Sequence, residues 1–220
     1  MRSIYKLVVC SLLTLSITSC EKDLLEKEQY QKEIYLIGAY NRVWTTEVSY
    51  SNEEVKTYFT VSSSGTLALD RDVNVKMKIN EELVDIYNRK YWTVLNEDKY
   101  YKSLDTDLYS IPSLENTVIK HAEGISAEVP VLIKTASLKI DQSYVIPVEI
   151  ESTTGYPIST SGCKMLVLLK LKNDYSGSYQ MSGHTTLEGE TPKTIQKPKT
   201  IKPTGVNTVR PVSYTHLTLP

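Results

Sequence analysis

Val73-Asn74-Val75-Lys76-Met77-Lys78-Ile79 decides the fold of this chain. Apolar side chains stand at every odd position and polar ones between them. A β-strand sends successive side chains to opposite faces, so this is a strand with one buried and one wet face. Such alternation belongs to antiparallel sheets with one solvated side. On the N-terminal side, Val55-Lys56-Thr57-Tyr58-Phe59-Thr60-Val61 repeats the pattern, with Val55, Thr57, Phe59 and Val61 sharing a face. Ile34-Tyr35-Leu36-Ile37 precedes it. Further strands are expected at 116–120, 128–134, 143–151 and 164–172, several of them separated by Ser-Gly, Thr-Gly or Asn-Asp clusters.

One helix interrupts the strands. Asn80 suits its cap and Glu81 and Glu82 its first turn. Leu83, Ile86 and Tyr87 then fall on one side at helical spacing, so 80–91 reads as a short amphipathic helix laid on the sheets. Many short strands, regular turns and one helix predict an all-β two-sheet sandwich over 33–172, followed by an incomplete second β segment. That segment starts at Tyr175 and covers 173–189. Residues 190–220 hold Pro192, Pro198 and Pro203 among lysines and are expected to form an extended or disordered tail.

Composition narrows the function. The net charge is −1, and sixteen Tyr stand against two Trp and one Phe. Tyr favours strands and tolerates a half-wet surface; it can also stack on sugars or peptides. Arg2 and Lys6 open the chain, and a short apolar run follows to Ile17, too short for a permanent span. Ile17-Thr18-Ser19-Cys20 resembles a bacterial lipobox. The resemblance implies a signal peptide over 1–19, a tether over 20–32, and Cys20 as the lipidated first residue of the mature chain. Several acyl chains hold a soluble domain to a membrane stably. An ordinary secreted protein cut near here is the plainer alternative. Glu21-Lys22-Asp23 resembles the signal that takes Bacteroidetes lipoproteins to the cell surface, so the expected location is the outer membrane, facing outwards.

Removal of 1–19 deletes Arg2 and Lys6 and leaves 23 Lys and Arg against 26 Asp and Glu. No basic surface for nucleic acid is expected. Cys10 leaves with the signal and Cys20 takes lipid, so Cys163 is left without a disulfide partner and reads as a small packing residue. No H-E-x-x-H run, G-x-S-x-G elbow or phosphate-cradling loop is present. Asp70-Arg71-Asp72-Val73-Asn74 begins like a calcium loop, but Val75 occupies the place of the turn glycine. Glu149 and Glu151 share a strand face without a visible acid–base setting. No catalytic residue, metal or cofactor is therefore assigned. The candidate ligand contacts are Trp44, Tyr40 and Tyr50, around a segment 40–46 without clear alternation, where Trp44 could stack on a sugar or plug one end of the sandwich. Trp92 reads as core.

The ordered blocks resemble a Bacteroidetes lipoprotein family, domain of unknown function 1735. They are 73–79, Leu83-Val84-Asp85-Ile86-Tyr87-Asn88, Trp92-Thr93-Val94-Leu95 with Tyr100, Val129-Pro130-Val131, 144–150, and Ile158-Ser159 before Met165–Leu171. The chain departs from the pattern at Tyr91-Trp92 and at Ile111-Pro112-Ser113. The resemblance implies an immunoglobulin-like sandwich at the front of a larger surface lipoprotein, non-catalytic, serving glycan uptake by binding or presenting glycan beside outer-membrane uptake proteins. The alternative is a structural spacer for a C-terminal domain that could be a glycosidase. The end, Val212–Pro220, is similar to translated sequencing-adapter tails, which implies that the natural protein is longer.

Overall fold

A computed structural model describes residues 27–186 and 191–211. The leader 1–19, Cys20, the first part of the tether and the end 212–220 lie outside the described residues. The strands are β1 (Ile34–Leu36), β2 (Val43–Ser49), β3 (Glu54–Ser63), β4 (Val73–Ile79), β5 (Lys102–Ser103), β6 (Tyr109–Ser110), β7 (Thr117–Ile119), β8 (Ser126–Lys134), β9 (Tyr144–Thr153) and β10 (Lys164–Lys172). They build two sheets. One has the order β1-β3-β8-β6; the other runs β2-β10-β9-β4-β7, with β5 attached to β9. The protein is an immunoglobulin-like two-sheet sandwich, antiparallel except where β2 runs parallel to β10 and β5 to β9.

The alternation that predicts β4 is the alternation the sandwich uses. Val73, Val75 and Met77 are buried while Asn74, Lys76 and Lys78 are exposed. They meet Phe59 and Val61 of β3, Val129, Val131 and Ile133 of β8, and Ile34 and Leu36 of β1 in one core. Each fully buried aliphatic side chain contributes roughly 1.5–3 kcal/mol. β9 and β10 are buried on both faces, which is why they read as near-continuous apolar runs. Ile146, Val148, Met165 and Val167 face the inter-sheet core. Val145 and Leu166 point the other way, under the helix α1 (Glu82–Tyr91), in a second cluster with Val84.

The helix α1 covers the outer face of β9 and β10, and the expectation for its buried face needs correction. Its buried positions are Val84 and Asn88, and Ile86 is 53% exposed. Asn88 shifts the seam. Its Nδ2 donates to the Tyr101 carbonyl at 2.9 Å and its Oδ1 accepts the Tyr101 N–H at 2.9 Å, so both ends of a buried amide have a partner. An apolar-only reading of the helix face could not include it. Asn80 does cap: its Oδ1 accepts the Glu82 N–H at 3.1 Å.

The tail expectation is overturned across 193–211. β11 (Gly177–Thr185), β12 (Lys193–Gly205) and β13 (Thr208–Pro211) form a separate three-stranded antiparallel sheet. Pro198 and Pro203 argue against a central strand, because proline cannot donate to the ladder. The pairing resolves the conflict. β12 pairs with β11 over 193–201 and with β13 over 201–205, so each proline lies where β12 has one neighbour. Pro130 and Pro147 follow the same rule, past the ends of β6 and β4 respectively.

Candidate binding surfaces

The structure disperses the three aromatic side chains singled out in the sequence. Trp44 does not lie in a loop; it is in β2, opposite Val167 of β10. The local pattern missed this strand because β2 is at a sheet edge, where only Val48 is fully buried. Trp44 shares the inward face with Thr46 and Val48, and Thr46 Oγ1 bonds Thr57 Oγ1 of β3 at 2.6 Å. The indole sits on Gly38, whose φ is +89°; a Cβ there would lie 2.6 Å from Trp44 Cε3. Trp44 is nonetheless 39% exposed, so it closes the rim of the sandwich with one edge open to solvent. Tyr50 is past the opposite end of β2, and its hydroxyl donates to the Ala136 carbonyl at 2.9 Å. Tyr40 is 88% exposed in the 3-10 turn before β2.

A different aromatic group forms on α1. Tyr87 stacks on Tyr101 at 5.2 Å and 9°, and Tyr91 leans on Tyr87 at 4.4 Å and 35°. Burial, and then the neighbouring Tyr101, push the Tyr87 phenol up to about 12. Tyr91 ends the row 48% exposed, with Lys90 Nζ 5.3 Å from its ring centre. Beside this row is a shallow cleft of about 30 Å³, bordered by Arg42, Leu83, Ile86, Tyr91 and Lys164. Arg42 holds φ +63°, the one non-glycine residue with positive φ among those described. Such backbone costs on the order of 1–3 kcal/mol and persists when its surroundings enforce it. Here the Arg42 carbonyl accepts the Leu166 N–H at 2.8 Å while its own N–H donates to Ala39 at 2.8 Å. The guanidinium has no partner among the described residues. α1 thus carries a tyrosine row on a helix, whereas the sequence pointed to aromatic residues in a loop. The signal was the i, i+4 pair Tyr87 and Tyr91, masked by the helix's own packing needs.

The carboxylates singled out in the sequence are engaged with their neighbours. Asp70 pairs with Arg71 at 2.8 Å and accepts the Tyr156 hydroxyl at 2.5 Å. Asp72 accepts the backbone N–H of His121 and lies 2.6 Å from its Nδ1. No cluster of metal-ligating side chains occurs among the described residues. Glu149 meets Lys164 at 3.2 Å and the Asn80 amide at 2.5 Å, while Glu151 meets Lys76 at 2.8 Å. Burial opposes ionisation of Glu149, yet the Asn80 and Lys164 contacts together hold its carboxyl below the usual range. The Lys76 hydrogen bond does the same for Glu151. Cys163 is half-buried against the core. Trp92 is partly buried, with Lys99 Nζ 5.5 Å from its ring. No helix among the described residues is long and apolar enough to cross a membrane.

Comparison with known proteins divides the chain before β10, within the sandwich. A family model for an N-terminal domain covers residues 30–157, and a second, for a C-terminal domain, covers residues 163–216. No curated protein matches the chain. A Bacteroides ovatus protein of unknown function has a similar structure, with TM-score 0.63 and 19% identity over 86% of this chain and 63% of its own. A multidomain Bacteroides ovatus protein that includes DUF1735 gives 0.56 and 20%, over 81% and 58%. An auxiliary nutrient binding protein of Bacteroides thetaiotaomicron gives 0.54 and 16%, over 75% and 58%. The chain spans less than two thirds of each of these structures. The fold is thus one shared with β-rich Bacteroides proteins. The chain belongs to the Bacteroidetes DUF1735 family.

Proposed function

We propose that this chain is a non-catalytic, lipid-anchored module of the outer cell surface that binds or presents glycan to an uptake system. The observation that carries the reading is the row Tyr101-Tyr87-Tyr91 ending at a half-exposed ring beside the unpaired Arg42. A sugar ring needs an apolar face to lie on and donors for its hydroxyls, and these two groups supply both. The nutrient-binding character of the Bacteroides thetaiotaomicron neighbour supports the same direction. The test is a glycan panel screened against the full chain and Tyr91→Ala. We expect binding to fall about 5–30-fold in the variant, equivalent to about 1–2 kcal/mol of stacking, without change in melting temperature. Trp44→Ala, the control, should lower the melting temperature instead. If the wild-type chain binds no glycan, the spacer reading replaces this one. That second reading is favoured by the internal use of Trp44 and Tyr50, and gives the module the task of carrying a further domain, such as a glycosidase.

The anchor is the run ending at Cys20. Cys20→Ala should move the protein from the membrane fraction to the soluble fraction. A full-length Ala variant that still sediments with membranes overturns the assignment.

A further inference from the structure

The C-terminal sheet does not stand clear of the sandwich. Asn173 Nδ2 donates to the carbonyls of Gly205 at 2.8 Å and Thr208 at 3.0 Å, and Arg210 pairs with Asp141. These two ties hold β12 over the outer face of β10 and leave a groove of about 380 Å³ between them. Its size suits one or two sugar residues, and ligand sites favour such junctions between domains. No aromatic ring lines it. Its charged side chains are Glu47, Lys170, Lys172 and Lys202. Glu47 of β2 is shared by Lys170, at 3.1 Å from one oxygen, and Lys172, at 3.1 Å from the other. Lys202 of β12 also lines the groove and has no ion pair among the described residues. Three ammonium groups therefore face one carboxylate, in a chain whose net charge is −1.

We propose that this groove binds an acidic saccharide, with a uronate carboxylate drawn to Lys202, Lys170 and Lys172. The lysines outnumber the one carboxylate, and a concave site with a net positive charge focuses the field on an entering anion. Lysine is a mobile point charge with three donors, so one shared glutamate leaves donors free on each partner. Gln142 and Thr200 border the same space and offer neutral contacts to hydroxyls. The ligand class rests on the glycan reading above, but the site and its chemistry are separate from the tyrosine row.

Titration calorimetry on the full chain, with a uronic-acid oligosaccharide, its neutral counterpart and inorganic sulfate, tests the proposal. The uronate should bind at least 10-fold more tightly than the neutral sugar. Its affinity should fall at least 10-fold in the double variant Lys170→Gln, Lys202→Gln and several-fold between 50 and 200 mM salt. Glu47→Gln should tighten binding several-fold, because it removes the competing carboxylate; a purely structural ion pair predicts a lower melting temperature without that gain. Equal affinity for the neutral sugar, indifference to the lysine variants, or displacement by equimolar sulfate overturns the proposal. If neutral glycans bind through Tyr91 while uronates ignore the groove, this inference alone falls. If no glycan binds at all, the glycan reading falls with it.

Discussion

The sandwich and the C-terminal sheet contain strands of similar length but differ in what holds them. In the sandwich, β3, β8, β9 and β10 each bury a face, and the core includes fully enclosed Phe59, Met77, Ile133 and Ile146. In β12, by contrast, Pro203 is the one buried residue, and Tyr179 and Met181 of β11 are 45% and 43% exposed. A three-stranded sheet needs a packed face to be stable in isolation. The sandwich is therefore self-supporting, and the second sheet depends on its ties to the sandwich at Asn173 and Arg210.

The largest effect should come from breaking the self-supporting half. Val75 is completely buried in the core between the sheets. Val75→Asp places an unpaired carboxylate there and should cost several kcal/mol, on the order of the stability of a whole domain. Thermal unfolding followed by circular dichroism checks this. An unchanged midpoint would mean that the core face of β4 is not where the alternation puts it.

A smaller effect is expected at the join. Asn173→Ala removes two donated bonds and the contact from its Oδ1 to the Tyr175 N–H at 3.1 Å. It should loosen the C-terminal sheet by about 1–2 kcal/mol and barely move the main melting transition. Limited proteolysis should then cut within 177–211 sooner, leaving a resistant fragment near 33–172. A main transition lowered as far as in Val75→Asp would show that the two regions unfold as one, which breaks the comparison.

The same contrast explains what the sequence could reveal. β4 and β10 were legible to their end residues, because one alternates strictly and the other is buried on both faces. β2 was hidden because an edge strand in parallel pairing gains little from burial, and its Trp44-Thr45-Thr46-Glu47 has no apolar period. β12 was hidden because no buried face shapes its composition, and because the prolines fit only through partner strands that cover different halves of it. The groove was beyond local reading for the same reason. Glu47, Lys170 and Lys202 are brought together by β2–β10 pairing and by the docking of a sheet that periodicity does not announce.

The smallest predicted effect tests how dry the sandwich is. Tyr109 packs against the core, and its hydroxyl is buried without a partner among the described residues. Burial, with a lesser push from Glu81, raises its phenol to about 12 from 10.0. The native state thus keeps this proton when the unfolded chain has begun to lose it. The associated stability is complete below pH 10 and lost as pH rises towards 12. Tyr109→Phe removes an unpaired hydroxyl, so at pH 7 it should leave stability unchanged or raise it by up to about 1 kcal/mol. Between pH 10 and 12 its stability should fall less steeply than that of the wild type, although Tyr87, also raised to about 12, keeps part of the slope. Urea melts at pH 7, 10 and 11 measure both quantities. Parallel pH profiles for the two proteins would mean that the Tyr109 hydroxyl reaches water, and that the sandwich is open where β6 meets β8.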